Sequence, residues 1–216
     1  MQKIFRILII IFLFVVCLLI GANLANITLS ETTQTTNAQL SDDSQNQILI
    51  FVVDDLENRK PQLQSIWSVI LYWHDTSGIM FMPLSDQLDP NFDEFKKSFL
   101  LTPEKSLNDR SMRYFNTKFK TKWNSYIVMD RTSLQLFVSW VSGGSILDFP
   151  ESLPDSISTI QTICNNFPGN FPSIDNIDWA SFQPSHFISN LSIEQMKSNW
   201  NNLRNAEFFL CEIILD

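Results

Sequence analysis

Glycine is scarce in this chain, at 5 of 216 residues, and that scarcity argues against glycine-rich loops that cradle phosphate. Histidine is rarer still. His74 and His186 are isolated, no His-x-x-x-His or Cys-x-x-Cys spacing occurs, and no tetrahedral zinc cluster is indicated. Neither histidine sits in a recognisable nucleophilic-triad motif; His74, beside Asp75 in the run HDTSG, reads as an exposed hairpin tip. There are three cysteines. Cys17 falls in an apolar segment, whereas Cys164 and Cys211 could form one disulfide or remain two separate buried thiols. Positive charge is also short: Lys and Arg number 15 against 23 Asp and Glu, a formal net charge of −8. Nucleic-acid binding is excluded as a general activity, because phosphate affinity needs clustered cations that release counterions.

What is abundant is phenylalanine, at 18 residues, which favours a dense core and an apolar groove. The length suits one domain plus an anchor. Lys3 and Arg6 precede an apolar stretch from Ile7 to Ile20. As a helix, Ile4 to Ala22 would be about 28 Å long, close to a hydrocarbon thickness of roughly 30 Å. Residues 1–25 therefore read as a membrane segment, either a retained anchor or a signal peptide cut after Ala22 or Ala25, with Asn23 disfavouring the second cut. Positive charges at its start place everything after Asn26 outside the membrane, so the expected location is the cell membrane, single-pass, with an extracytoplasmic domain. Residues 26–46 are rich in Thr, Ser, Gln, Asn and Asp and read as a flexible polar linker. Residues 47–216 form the expected single domain. Asn26-Ile27-Thr28 and Asn190-Leu191-Ser192 match the glycosylation pattern.

Within that domain the run ILIFVVDD, Ile48 to Asp55, places six apolar residues ahead of two carboxylates. A strand buried on both faces of an α/β sheet has this composition. Ligands in such sheets bind outside the carboxyl ends of the strands, which makes Asp54 and Asp55 candidate site residues; the competing reading is a solvated turn. Further strands are expected within Ser65 to Trp73 and at Gly78 to Leu84, with Pro83 at the end of the latter. Phenylalanines at positions 92, 95 and 99 predict a helix within Pro90 to Leu101. Thr102-Pro103-Glu104 predicts the start of another, running to about Phe119. This stretch is the most basic, with Arg110, Arg113, Lys118, Lys120 and Lys122. A strand at Asn124 to Asp130 and a helix from Arg131 to Val141, stopped by Gly143 and Gly144, repeat the α/β rhythm. Helices at Ser152 to Phe167 and Ser192 to Asn202, then a strand within Phe208 to Leu215, complete the pattern.

The stretch Asn124 to Gly144, NSYIVMDRTSLQLFVSWVSGG, resembles the LytR-CpsA-Psr family, in which a strand leads into a helix ending in Val-Asp-x-Leu-Gly-Gly-Val. The order of segments agrees: anchor, polar spacer, an opening strand like Ile48 to Asp55, two adjoining strands, and a late Asn-Leu segment like Asn190 to Leu203. The resemblance covers Gln47 to Asp216. It implies a three-layer α-β-α domain with a mixed central sheet, and an apolar pocket that holds a polyprenyl-pyrophosphate lipid whose glycopolymer is transferred to the cell wall. Arginines and aspartates with magnesium would serve the pyrophosphate, and Asp54 and Asp55 are the metal candidates.

Departures from the family pattern limit what the resemblance carries. The motif Arg-x-Asp-Thr is replaced by Leu63-Gln64-Ser65-Ile66, and Pro-Arg-Asp-Thr by Ser85-Asp86-Gln87-Leu88. Ser145 to Pro154 contains no arginine. Holding pyrophosphate in a water-poor cleft requires guanidinium groups or metal against its oxygens. The remaining candidate ligand set is Asp54, Asp55, Arg59 and Asp86, with Arg110 and Arg113 only if the middle helices bring them in. The expected protein is a shortened, non-catalytic relative that binds a polyprenyl-linked ligand or an envelope protein, with magnesium as an open cofactor. An active phosphotransferase and an unrelated α/β adhesion or sensing module are the alternatives.

Overall fold

The structure, a computed structural model, describes residues 45–73, 76–141, 153–167, 172–177, 179, 183–205 and 208–215. The apolar segment 1–25, the linker up to residue 44, His74, Asp75, Gly143, Gly144 and residues 145–152 lie outside the described residues. No described helix is long and apolar enough to cross a membrane.

The apolar run forms β1 (Gln45–Val53), which pairs antiparallel with β2 (Leu63–Trp73) and parallel with β4 (Ser125–Asp130). On one side β3 (Ser77–Asp86) continues the sheet antiparallel to β2, and β6 (Phe209–Ile213) closes it parallel to β3. On the other, a short β5 (Phe187–Ser189) lies antiparallel to β4. The order β5-β4-β1-β2-β3-β6 is a mixed six-stranded sheet, with the third and fourth strands in one sheet as expected.

Because side chains alternate along a strand, β1 presents two different faces. Leu49, Phe51 and Val53 are no more than 1% exposed and pack against α1 (Phe92–Ser98) and α2 (Asp109–Lys118). Here the phenylalanines interlock: the Phe51 ring centroid lies 5.2 Å from that of Phe99 and 5.0 Å from that of Phe115. The opposite face, carrying Ile48, Ile50 and Val52, turns towards α3 (Arg131–Val141), α4 (Leu153–Asn166) and α5 (Ile193–Arg204). Ser192 caps α5 through a capping box with Gln195, as its sequence SIEQ implies.

Two sequence expectations are corrected. Thr102 starts no helix: its backbone N–H donates to Ser106 O at 2.8 Å, Lys105 adopts a left-handed φ of 56°, and Leu101 bridges Leu107 in a tight reversal. The helix begins only at Asp109, with the Asn108 side chain accepting from Arg110 N. Pro83 lies inside β3 and not at its end, opposite Trp67 where the ladder with β2 shifts register, and a bulge of this kind relieves the lost N–H. The Phe-rich helix falls within Pro90 to Leu101 as expected, whereas β5 was not anticipated because three residues carry no periodic signal.

Two long-range ties brace this arrangement. Cys164 of α4 and Cys211 of β6 form a disulfide across 47 residues of sequence, with their Cα atoms 5.1 Å apart. Asn190, the residue of the second glycosylation pattern, uses its amide structurally: Oδ1 accepts from Tyr126 N at 2.7 Å and Nδ2 donates to Asn124 O at 2.8 Å.

Phe51→Ala removes the centre of the packed face and is expected to lower unfolding free energy by about 3–5 kcal/mol in urea titration. Replacing Cys164 and Cys211 by serine is expected to cost about 2–5 kcal/mol in the same measurement, since the link closes a long loop.

Candidate functional site

One edge of the sheet collects the polar residues. β1 and β4 are parallel and end there, β2 begins there, and β3 ends there. Beneath that edge, on the Ile50 face, lies a cavity of about 620 Å³, within the range of roughly 300–1,000 Å³ usual for ligand pockets. Ile50, Val52, Leu71 and Ile127 form its floor, and all four are only partly buried although strands flank them on both sides. Phe137 and Trp140 of α3, Ile163 of α4, and Trp200 and Leu203 of α5 form its walls. The Trp140 and Trp200 ring centroids are 4.8 Å apart. Of the phenylalanines, Phe81, Phe137 and Phe187 line this cavity; Phe51, Phe92, Phe95, Phe99 and Phe115 fill the other face.

The rim is polar and acidic. Asp54 is exposed and lines the cavity, and its Oδ1 accepts from Asp55 N and Gln62 N, both at 2.7 Å, closing the loop after β1. Asp86 is 6% exposed and also lines it; Oδ1 accepts from Leu88 N at 2.7 Å and Asp89 N at 3.1 Å. Gln64 and Gln87 are hydrogen-bonded to each other through their side chains. Thus the two stretches that depart from the family pattern sit side by side at the mouth, with Ser65 opposite Asp86 in the ladder.

Other expected site residues are elsewhere. Asp55 is half-buried and does not line the cavity; its Oδ1 accepts from Glu57 N at 2.8 Å. Arg59 is exposed in the same loop and does not line the cavity. Arg110 and Arg113 are exposed on α2, which packs on the Phe51 face, so the sheet separates them from the cavity.

Sequence reasoning missed three residues at the end of β4. Arg131, the first residue of α3, is the only cation lining the cavity among the described residues, and it is also engaged in an interaction within the chain. Asp130, 1% exposed, accepts from Ser133 N at 2.9 Å and approaches His186 Nδ1 at 2.7 Å and Leu56 N at 3.5 Å. That one carboxylate joins β4, the start of α3, the loop after β1 and the approach to β5. The signal available was Asp130-Arg131 at the carboxyl end of an expected strand, the same position that singled out Asp54. His186 lies 56 residues from Asp130 and had no local signal.

Among the described residues the side chains do not by themselves assemble a metal cage. Magnesium takes one or two carboxylates plus phosphate oxygens in a strict octahedron. Asp54 and Asp86 each commit an oxygen to two backbone N–H groups, and among the described residues no three His, Cys, Asp or Glu side chains stand together to hold a metal ion.

An α/β domain with an apolar cavity under the carboxyl edge of its sheet is therefore the class this chain represents. No family model matches the chain, and no curated protein matches it. Among solved structures it is similar to B. subtilis TagV, with 12% identity, 81% of this chain and 85% of that chain covered, and a TM-score of 0.48. It is also similar to Lin1025 from Listeria innocua (9% identity, 80% and 84% covered, TM-score 0.46) and to TagT bound to LIIa-WTA (7% identity, 80% and 78% covered, TM-score 0.43). TagT and TagV are LytR-CpsA-Psr proteins, the family that Ile48 to Asp55 and Asn124 to Gly144 resemble. At these identities and TM-scores the likeness is one of fold, and no activity comes with it.

Asp130→Ala leaves buried donors unpaired and is expected to cost about 1–3 kcal/mol for each. Asp54→Asn keeps an Oδ1 acceptor in place and is expected to change stability by less than about 0.5 kcal/mol. Parallel denaturant titrations separate the two.

Proposed function

We propose that this chain is a membrane-anchored, extracytoplasmic domain of the LytR-CpsA-Psr type, associated with cell-envelope glycopolymers, that holds the apolar chain of a polyprenyl-linked ligand without transferring it. The observation that carries this reading is the cavity: a floor of half-buried Ile, Val and Leu side chains in the middle of a sheet whose other face is fully packed. Apolar side chains left uncovered at a sheet centre are unfavourable unless something apolar covers them. Leu88 and Leu136 extend the lining to the outside, at 75% and 46% exposed, and offer an apolar threshold for a chain entering from a bilayer. The absence of transfer rests on the rim. Asp86 occupies the place of a family arginine, and Arg110 and Arg113 lie across the sheet.

Phosphotransfer is the second reading, and Arg131 at the mouth is the observation that favours it. Mass spectrometry of lipids co-purified with the detergent-extracted full chain, followed by binding of a tritiated polyprenyl monophosphate, tests the proposal. Binding without release of phosphate supports it; turnover of a polyprenyl-pyrophosphate-linked sugar would establish the transferase instead. Ile50→Trp, filling the cavity from its floor, is expected to weaken lipid binding tenfold or more while changing unfolding free energy by about 1 kcal/mol, because the added volume enters open space. Loss of neither bound lipid nor affinity in that variant removes the cavity from the function.

A further inference from the structure

The mouth of this cavity has the wrong sign for a pyrophosphate. Two carboxylates, Asp54 and Asp86, stand against one guanidinium, Arg131, giving the described lining a net formal charge of −1. No other cation can be brought in from the parts of the domain that the structure leaves undescribed: from residue 45 onwards, every Lys and Arg of the sequence is a described residue. None of those other cations lines the cavity. Arg110, Arg113 and Lys118 belong to α2 behind the sheet, and Lys197 pairs with Asp175 at 2.8 Å. Arg59 and Lys60, in the loop after β1, are exposed and accompanied there by Asp54, Asp55 and Glu57.

Neither rim carboxylate is free to swing away. Oδ1 of Asp54 and Oδ1 of Asp86 each accept two backbone N–H groups, which fix both charges at the opening. A head group bearing two phosphates would have to enter past both of them, with one cation at the mouth. A hydroxyl meets no such barrier, and a single phosphate, carrying less charge, meets a smaller one beside Arg131, which is itself engaged within the chain.

We infer that the ligand is a polyprenyl-type lipid whose head carries no more than one phosphate, and that Asp54 and Asp86 are specificity residues that reject the pyrophosphate. This rests on the lipid reading above and adds the charge class of the head. The test is a competition series on the full-length chain in one detergent, using a polyprenol, its monophosphate and its pyrophosphate with identical chains. The alcohol and monophosphate are expected to bind at least about tenfold more tightly than the pyrophosphate, a gap that narrows as salt is added. Asp54→Asn with Asp86→Asn retains the Oδ1 acceptors and is expected to close that gap by about tenfold or more. Arg131→Gln is expected to weaken the monophosphate and leave the alcohol unchanged. A pyrophosphate that binds as tightly as the monophosphate to the wild-type chain overturns the inference and leaves the lipid reading standing. So does a gap indifferent both to salt and to the paired asparagines. Failure of all three lipids to bind overturns the lipid reading itself.

Discussion

The unequal treatment of the two faces of β1 is the constraint on which the rest depends. β1 is hydrogen-bonded on both sides, so its position is fixed by β2 and β4 whatever covers its faces. One face is filled by close-packed aromatic rings around Phe51, at a density that leaves little room to relax. Stability concentrated there allows the other face to be left partly uncovered. A cavity of about 620 Å³ would be a liability in a domain with a single thin core, and here it is bounded by a sheet that the opposite layer already holds rigid.

Electrostatics divides the same edge of the sheet in a similar way. Asp130 is buried, accepts a backbone N–H and meets His186, and its carboxylate is part of the framework. Asp54 and Asp86 are also hydrogen-bonded to backbone, but they line the opening, so their fields reach whatever enters. Three aspartates at neighbouring strand ends therefore have two distinct consequences. The difference lies in where each carboxylate is held: Asp130 is 1% exposed and does not line the cavity, whereas Asp54 and Asp86 line its mouth.

Much of the architecture was legible in the sequence for physical reasons that can be named. ILIFVVDD is too short for a helix and too apolar for an exposed strand, and it became the central strand. Arg131 to Val141 and the capping box at Ser192 carry strong local signals, and both helices formed there. Thr102-Pro103 misled because a cap and a proline are permissive, while the reversal at Lys105 depends on a bridge between Leu101 and Leu107 that no local rule encodes. Which face of the sheet carries the cavity was invisible for a deeper reason. A strand buried on both faces reads as one continuous apolar run, so nothing in the order Ile48-Leu49-Ile50-Phe51-Val52-Val53 says which alternate set meets solid packing and which meets space. The phenylalanine count suggested an apolar groove, yet most of the rings that pack around β1 lie on the side without one.

An open apolar space persists only if its walls cannot fall inwards, and three ties prevent that collapse. The disulfide pins α4 to the edge strand β6, so the wall bearing Ile163 cannot close on the floor independently of the sheet. Trp140 and Trp200, rings in contact at 4.8 Å, hold α3 and α5 apart by their bulk as much as together by their packing. Asp130 sets where α3 leaves the sheet through Ser133 N, which fixes Arg131 and the direction of the wall that follows it. The mouth and the cavity are thus positioned by the same residue. Moving α3 to fill the void would break the buried contacts of Asp130, and a filled core would have to offset that loss before it became the more stable arrangement.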